Sequence, residues 1–138
     1  YMPYILKSND ALGCIFIKWR GTFSSEEGFA QYREISKFVG FQQGSHLFHD
    51  ARSVDFNVPS SEIREVATAP SPKSDSSIIR KVATLVSSDL GFGMMRVLAI
   101  VRERPELVLD VFRDLEEAKT WLGLPSDLGD PFEDMAWD

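Results

Sequence analysis

The period of hydrophobic and polar positions changes several times along the chain, and each change predicts an element. "YILK" (residues 4–7) and "GCIFIKWRG" (residues 13–21) are rich in β-branched and aromatic residues, and "SNDALG" between them supplies turn formers. Together they predict a hairpin. In the second strand a period of two places Ile15, Ile17 and Trp19 on one face and Cys14, Phe16 and Lys18 on the other. "SSEEGFAQYREISKFVG" then switches to helical spacing, with Phe29, Tyr32, Ser36 and Val39 along one face and Ile35 beside them. Ser24 and Glu27 have the spacing of a capping box, and Gly40 is placed to end that helix.

"SHLFHDA" (residues 45–51) predicts a short strand. "PSSEIREVA" opens another helix, with Ser60 or Ser61 as N-cap and Glu62 near its positive end. "APSPKSDSS" (residues 69–77) reads as a loop, and "IIRKVATLV" as a strand covered on both faces. After "SSDLGFG" a helix runs to about Glu103, just before Pro105, and "LVLDVF" is another buried-type strand. "DLEEAKTWLG" closes the pattern, with Asp114 as N-cap, Leu115, Ala118, Trp121 and Leu122 as apolar face, and Gly123 as C-cap. From Ser126 onward there are five acidic residues and no basic one. That segment reads as a tail, docked at most through Phe132, Met135 and Trp137.

The order ββαβαβαβα predicts an α/β fold in one domain. Residues 1–125 form a mixed, mostly parallel sheet of four to five strands flanked by helices, and residues 126–138 an acidic C-terminal tail. Crossovers are expected to be right-handed, with the hairpin as an antiparallel edge.

Charge narrows the partners. The 138 residues carry a net charge of −6, which argues against broad binding to nucleic acid or to an anionic membrane surface. No apolar run is long enough to span a bilayer, so membrane insertion is not expected. The chain shows no signal-peptide pattern, and its one cysteine allows no intramolecular disulfide and no cysteine-based zinc site. A reduced, cytoplasmic setting is the expectation.

Candidate chemistry is sparse. In "SSDLGFGMMR" the register Gly91-x-Gly93-x-x-Arg96 puts arginine where a dinucleotide fingerprint has its third glycine, and no Lys-Ser/Thr pair follows. Amides at that helix start could attract an anion, helped by Ser87, Ser88 and Arg96. The favoured reading is plainer: Ser88 or Asp89 caps the helix and the glycines tighten the turn. His46 and His49 on a strand point to opposite faces and cannot share a metal, and Asp50 could orient His49 only if the strand ended there. Cys14 lies in an apolar strand and is expected to be a small buried hydrophobe. No G-x-S-x-G elbow exists, and the paired glutamates sit in first helical turns where the macrodipole favours them. No cofactor or metal is expected. Ligands of open parallel sheets collect beyond the C-terminal strand ends, which here carry Arg52, then Ser87, Ser88 and Gly91, then Arg113.

At "VATLVSSDLGFGMMRVLAIV" and "VFRDLEEAKTWLGL" the sequence resembles the SpoIIAA-like family, small bacterial proteins grouped with STAS and CRAL-TRIO-type domains. The likeness extends from the N-terminal hairpin through "HLFHDAR" to Leu124, and is most specific in an F-R-D/S-x-E-E-A-x-x-W-L pattern. It implies a sheet of four or five strands flanked by helices, and a domain that usually lacks catalysis. STAS antagonists that bind a partner kinase are switched by phosphorylation of a serine directly after a strand-ending aspartate. Here Ala51 follows Asp50 while Ser53, Ser60 and Ser61 lie further on, so that switch is not carried over.

The leading expectation is therefore a non-enzymatic domain acting by association with a protein partner, with exposed hairpin edges and helix faces suited to a homodimer. The alternative is a small anion- or lipid-binding module on the 87–93 turn, using Arg52, Ser87, Ser88, Gly91, Gly93, Arg96 and Arg113.

Overall fold

A computed structural model describes residues 3–68, 79–102 and 104–137. Five strands form one sheet in the order β1 (Tyr4–Asn9), β2 (Cys14–Thr22), β3 (His46–Asp55), β4 (Arg80–Leu85) and β5 (Leu107–Phe112). The hairpin puts β1 antiparallel on the edge, and the remaining neighbours pair in parallel. Helices α1 (Ser25–Ile35), α2 (Val39–Gln42), α3 (Ser60–Thr68), α4 (Asp89–Arg102) and α5 (Leu115–Leu122) connect or follow the strands, and a 3-10 turn spans Ser126–Leu128. This is an α/β fold with a mixed, mostly parallel sheet flanked by helices. The expected loop at residues 69–77 lies outside the described residues.

The alternation within β2 divides the core as its period demands. Ile15 and Ile17 pack with Leu47, Val82, Ile35 and Phe41 on the face covered by α1 and α2. Farther along that face Ala51, Val86 and Val111 meet Ala99 of α4, and Ile63 and Val66 of α3 meet Leu98. Cys14 and Phe16 lie on the opposite face with Phe48, Ala83 and Leu85, against Ala118 and Leu122 of α5.

An eight-residue helix cannot cover that second face alone, and the acidic segment completes it. Phe132 is 1% exposed and meets the rings of Phe48 and Phe16 edge-on at 4.9 and 5.8 Å. Lys18 donates from Nζ to the carbonyls of Phe132 and Met135, and the Arg20 guanidinium lies 4.3 Å above the Trp137 ring. Asp127, Glu133 and Asp134 stay exposed while Phe132 and Met135 go in, so hydrophobic burial orders a segment whose charge alone suggests a solvated tail.

The N-caps expected for α1 and α5 form, as does the C-cap expected for α5. Ser24 accepts from the Glu27 amide, Asp114 accepts from the Glu116 and Glu117 amides, and Gly123 closes α5 in the left-handed region at φ 77°. Gly40 does not end α1, which stops at Ile35. It sits buried in α2, where a Cβ would lie 2.9 Å from both Asp10 Oδ1 and Ser45 Oγ. Val39 consequently leaves the apolar face of α1 and is exposed. Glu62, in the first turn of α3, reaches across to α1 and accepts from the Ser25 amide. The third strand runs past Ala51 to Asp55, because its pairing with β2 resumes after a register shift between Lys18 and Arg20.

Candidate functional site

The longer β3 changes where Arg52 sits. It lies within the strand, and its guanidinium is held by Asp50 at 2.8 Å and by Asp130 of the C-terminal segment at 3.0 Å. Asp50 thus engages Arg52 and does not orient His49. Ser87 donates its hydroxyl to the Arg52 carbonyl, which ties the chain just after β4 to β3. Ser88 accepts from the Gly91 amide and caps α4. Gly91 and Gly93 belong to α4 itself, not to the turn before it.

Gly91 is there for packing. A Cβ on it would lie 2.6 Å from the Phe56 ring, whereas Gly93 has nothing within 4 Å. Arg113 pairs with Asp89 at 2.6 Å, and Arg96 with Asp110 at 3.5 Å. The chain therefore brings the Arg52 carbonyl to Ser87, and Arg113 to the start of α4, while Arg96 sits about two helical turns farther on. An anion reaching this rim would compete with a carboxylate at each of the three arginines.

A second feature lies on the outer side of α4. Leu90, Val97, Ile100 and Val101 are 51%, 56%, 69% and 54% exposed. Their spacing of seven, three and one residues places them on one stripe, with Gly93 between the first two. The inner side of the same helix buries Gly91, Leu98, Ala99 and Arg102. A helix that is apolar on two sides needs cover on both, and here one side has it.

A third feature is a cavity of about 90 Å³ between the sheet and helices α1, α3 and α4. Trp19, Phe23, Phe56 and Met95 are among its largely apolar walls. Its polar groups are few and specific. His49 and Thr84 are neighbours across the β3–β4 pair and both line it from the sheet. Trp19 donates its indole N–H to His49 Nδ1 at 2.9 Å. Burial pushes the His49 pKa down to about 4, so the ring is neutral at physiological pH. Gln31 of α1 lines the cavity at 2% exposure, and its Nε2 has no hydrogen-bond partner. Arg20 and Glu27, with opposite charges, also border it.

The other groups marked in the sequence have settled partners. His46 is on the opposite face of β3 from His49, and its Nδ1 accepts from the Lys81 amide at 3.0 Å. Cys14 is 1% exposed, and burial pushes its thiol up to about 12, leaving no thiolate at neutral pH. Among the described residues no group of three or more His, Cys, Asp or Glu could hold a metal ion, and no helix is long and apolar enough to cross a membrane.

The sequence pattern missed Gln31, because a polar residue beside Tyr32 in an amphipathic helix reads as surface. The α4 stripe had a signal in "MMRVLAIV", where seven of eight residues are apolar, too many for a one-sided helix. No protein-family model, no curated protein and no solved structure matches this chain.

Proposed function

We propose that this chain is a non-enzymatic domain of SpoIIAA-like type that works by protein–protein association, with a second copy of itself as the first partner. The carrying observation is the exposed apolar stripe of α4, Leu90, Val97, Ile100 and Val101. A two-fold crossing of α4 on α4 would bury the stripe against itself. It sets the Asp89 end of each helix, with its positive dipole, beside the negative C-terminal end of the other. Open space at Gly93 can receive a branched side chain of the partner helix.

The same domain is read as non-catalytic because its candidate groups are quenched. The Cys14 thiol stays protonated, and His49 has its Nδ1 committed to Trp19. The alternative, an anion- or lipid-binding module on the 87–93 turn, has less support, since Arg52, Arg96 and Arg113 are already paired. Native mass spectrometry of freshly purified protein tests the reading. The expected result is a species at twice the chain mass that separates on denaturation. A single-chain mass at every concentration would count against it.

A further inference from the structure

The cavity beneath α1 raises a separate question, because one polar group on its wall is buried and unmet. Gln31 is 2% exposed and carries a buried amide Nε2 with no hydrogen-bond partner. Leaving such a donor unmet costs free energy comparable to a lost hydrogen bond, so native proteins rarely keep one without a use. His49 supplies a second donor. An indole N–H can only donate, so the imidazole Nδ1 that accepts it carries no proton, and the proton of the neutral ring sits on Nε2. No described residue accepts a hydrogen bond from that Nε2. Thr84, beside His49 on the neighbouring strand, adds a hydroxyl to the same wall.

Two donors and a hydroxyl in apolar surroundings select an acceptor. Charge decides which kind. A bare carboxylate would be costly against walls such as Phe56 and Met95. A neutral carbonyl oxygen asks for hydrogen bonds and no counter-ion. Size sets the remainder: a dry cavity of about 150 Å³ holds benzene, so about 90 Å³ admits only a smaller body. A long acyl chain does not fit within it. Thr22, exposed at the border, marks where a larger ligand could extend outward.

We propose that this cavity is a binding site for a small uncharged carbonyl compound, its oxygen accepting from Gln31 Nε2 and His49 Nε2 and its apolar body lying against Trp19, Phe56 and Met95. The site is distinct from the α4 stripe, and its occupancy does not depend on association.

The probe is butan-2-one, titrated into the whole protein and followed by heteronuclear amide NMR. The side-chain amide pair of Gln31 and the Trp19 indole N–H should shift together and saturate. Replacing the carbonyl oxygen by a methylene, as in 2-methylbut-1-ene, should weaken binding about tenfold, the loss expected for one or two unmade neutral hydrogen bonds. Gln31→Leu should weaken butan-2-one by a similar factor while raising thermal stability, because it removes the unpartnered donor. Gln31→Met serves the same purpose should the leucine fail to fold. Absence of saturable shifts up to about 100 mM, a generous limit for so few atoms, would overturn the proposal. Equal affinity for ketone and alkene, or unchanged ketone binding in Gln31→Leu, would overturn it as well.

Discussion

Trp19 and His49 are joined by a 2.9 Å hydrogen bond from the indole Nε1 to the imidazole Nδ1, and their rings stack with centroids 6.1 Å apart. Burial lowers the His49 pKa from its ordinary 6.5 to about 4. Between those values the unfolded chain takes up a proton that the folded chain refuses. Stability is therefore full above pH 6.5 and falls as the pH drops toward 4, by up to about 3 kcal/mol. His46, lowered by burial and then by Lys81 and Arg80, adds loss of the same sign. Denaturation midpoints compared at about pH 7 and about pH 4.5 should show a smaller acid loss in His49→Gln than in the native chain. Equal losses would place the sensitivity elsewhere.

The two glycines of α4 should respond in opposite ways. A Cβ at Gly91 meets the Phe56 ring at 2.6 Å, so Gly91→Ala should cost about 1–3 kcal/mol through overpacking. Gly93 has open space, and Gly93→Ala should stabilise the isolated chain by about 0.5–1 kcal/mol through helix propensity. Urea unfolding at low protein concentration reads both. A destabilising Gly93→Ala would mean that its place in the helix is not the open one described.

Phe132 should behave as a core residue. It is 1% exposed and packed on Phe16 and Phe48, so Phe132→Ala should cost about 3–5 kcal/mol. Asp130→Asn, which weakens the partly exposed contact to Arg52 but keeps an oxygen to accept from the Phe132 amide, should cost well under that. Thermal melts of the two variants check the contrast. A small effect of Phe132→Ala would mean that the segment after residue 125 contributes little to the fold.

The scaffold was legible because β2, β4, β5 and α5 obey local rules. Period two in β2, capping by Asp114 and the left-handed Gly123 are decided by the nearest few residues. Long-range pairing decided the rest. Gly40 looks like a helix end, yet Asp10 and Ser45 close on it and make it a packing glycine. Arg52 looks like a free cation at a strand end, but Asp130 arrives from 78 positions away. The acidic segment reads as solvated because charge dominates its composition, while two buried side chains, Phe132 and Met135, dominate its energetics. Gln31 was invisible for the same reason: nothing local records that α3 and α4 close over α1.

The central claim is that α4 carries an association surface. Sedimentation equilibrium across a range of concentrations, on the native chain and on the Val97→Asp/Ile100→Asp double variant, tests it most directly. The native chain should rise from the single toward the doubled chain mass, and the variant, with unchanged circular dichroism, should remain at the single mass. A native chain that stays single throughout, or a variant that associates as strongly, would contradict the account.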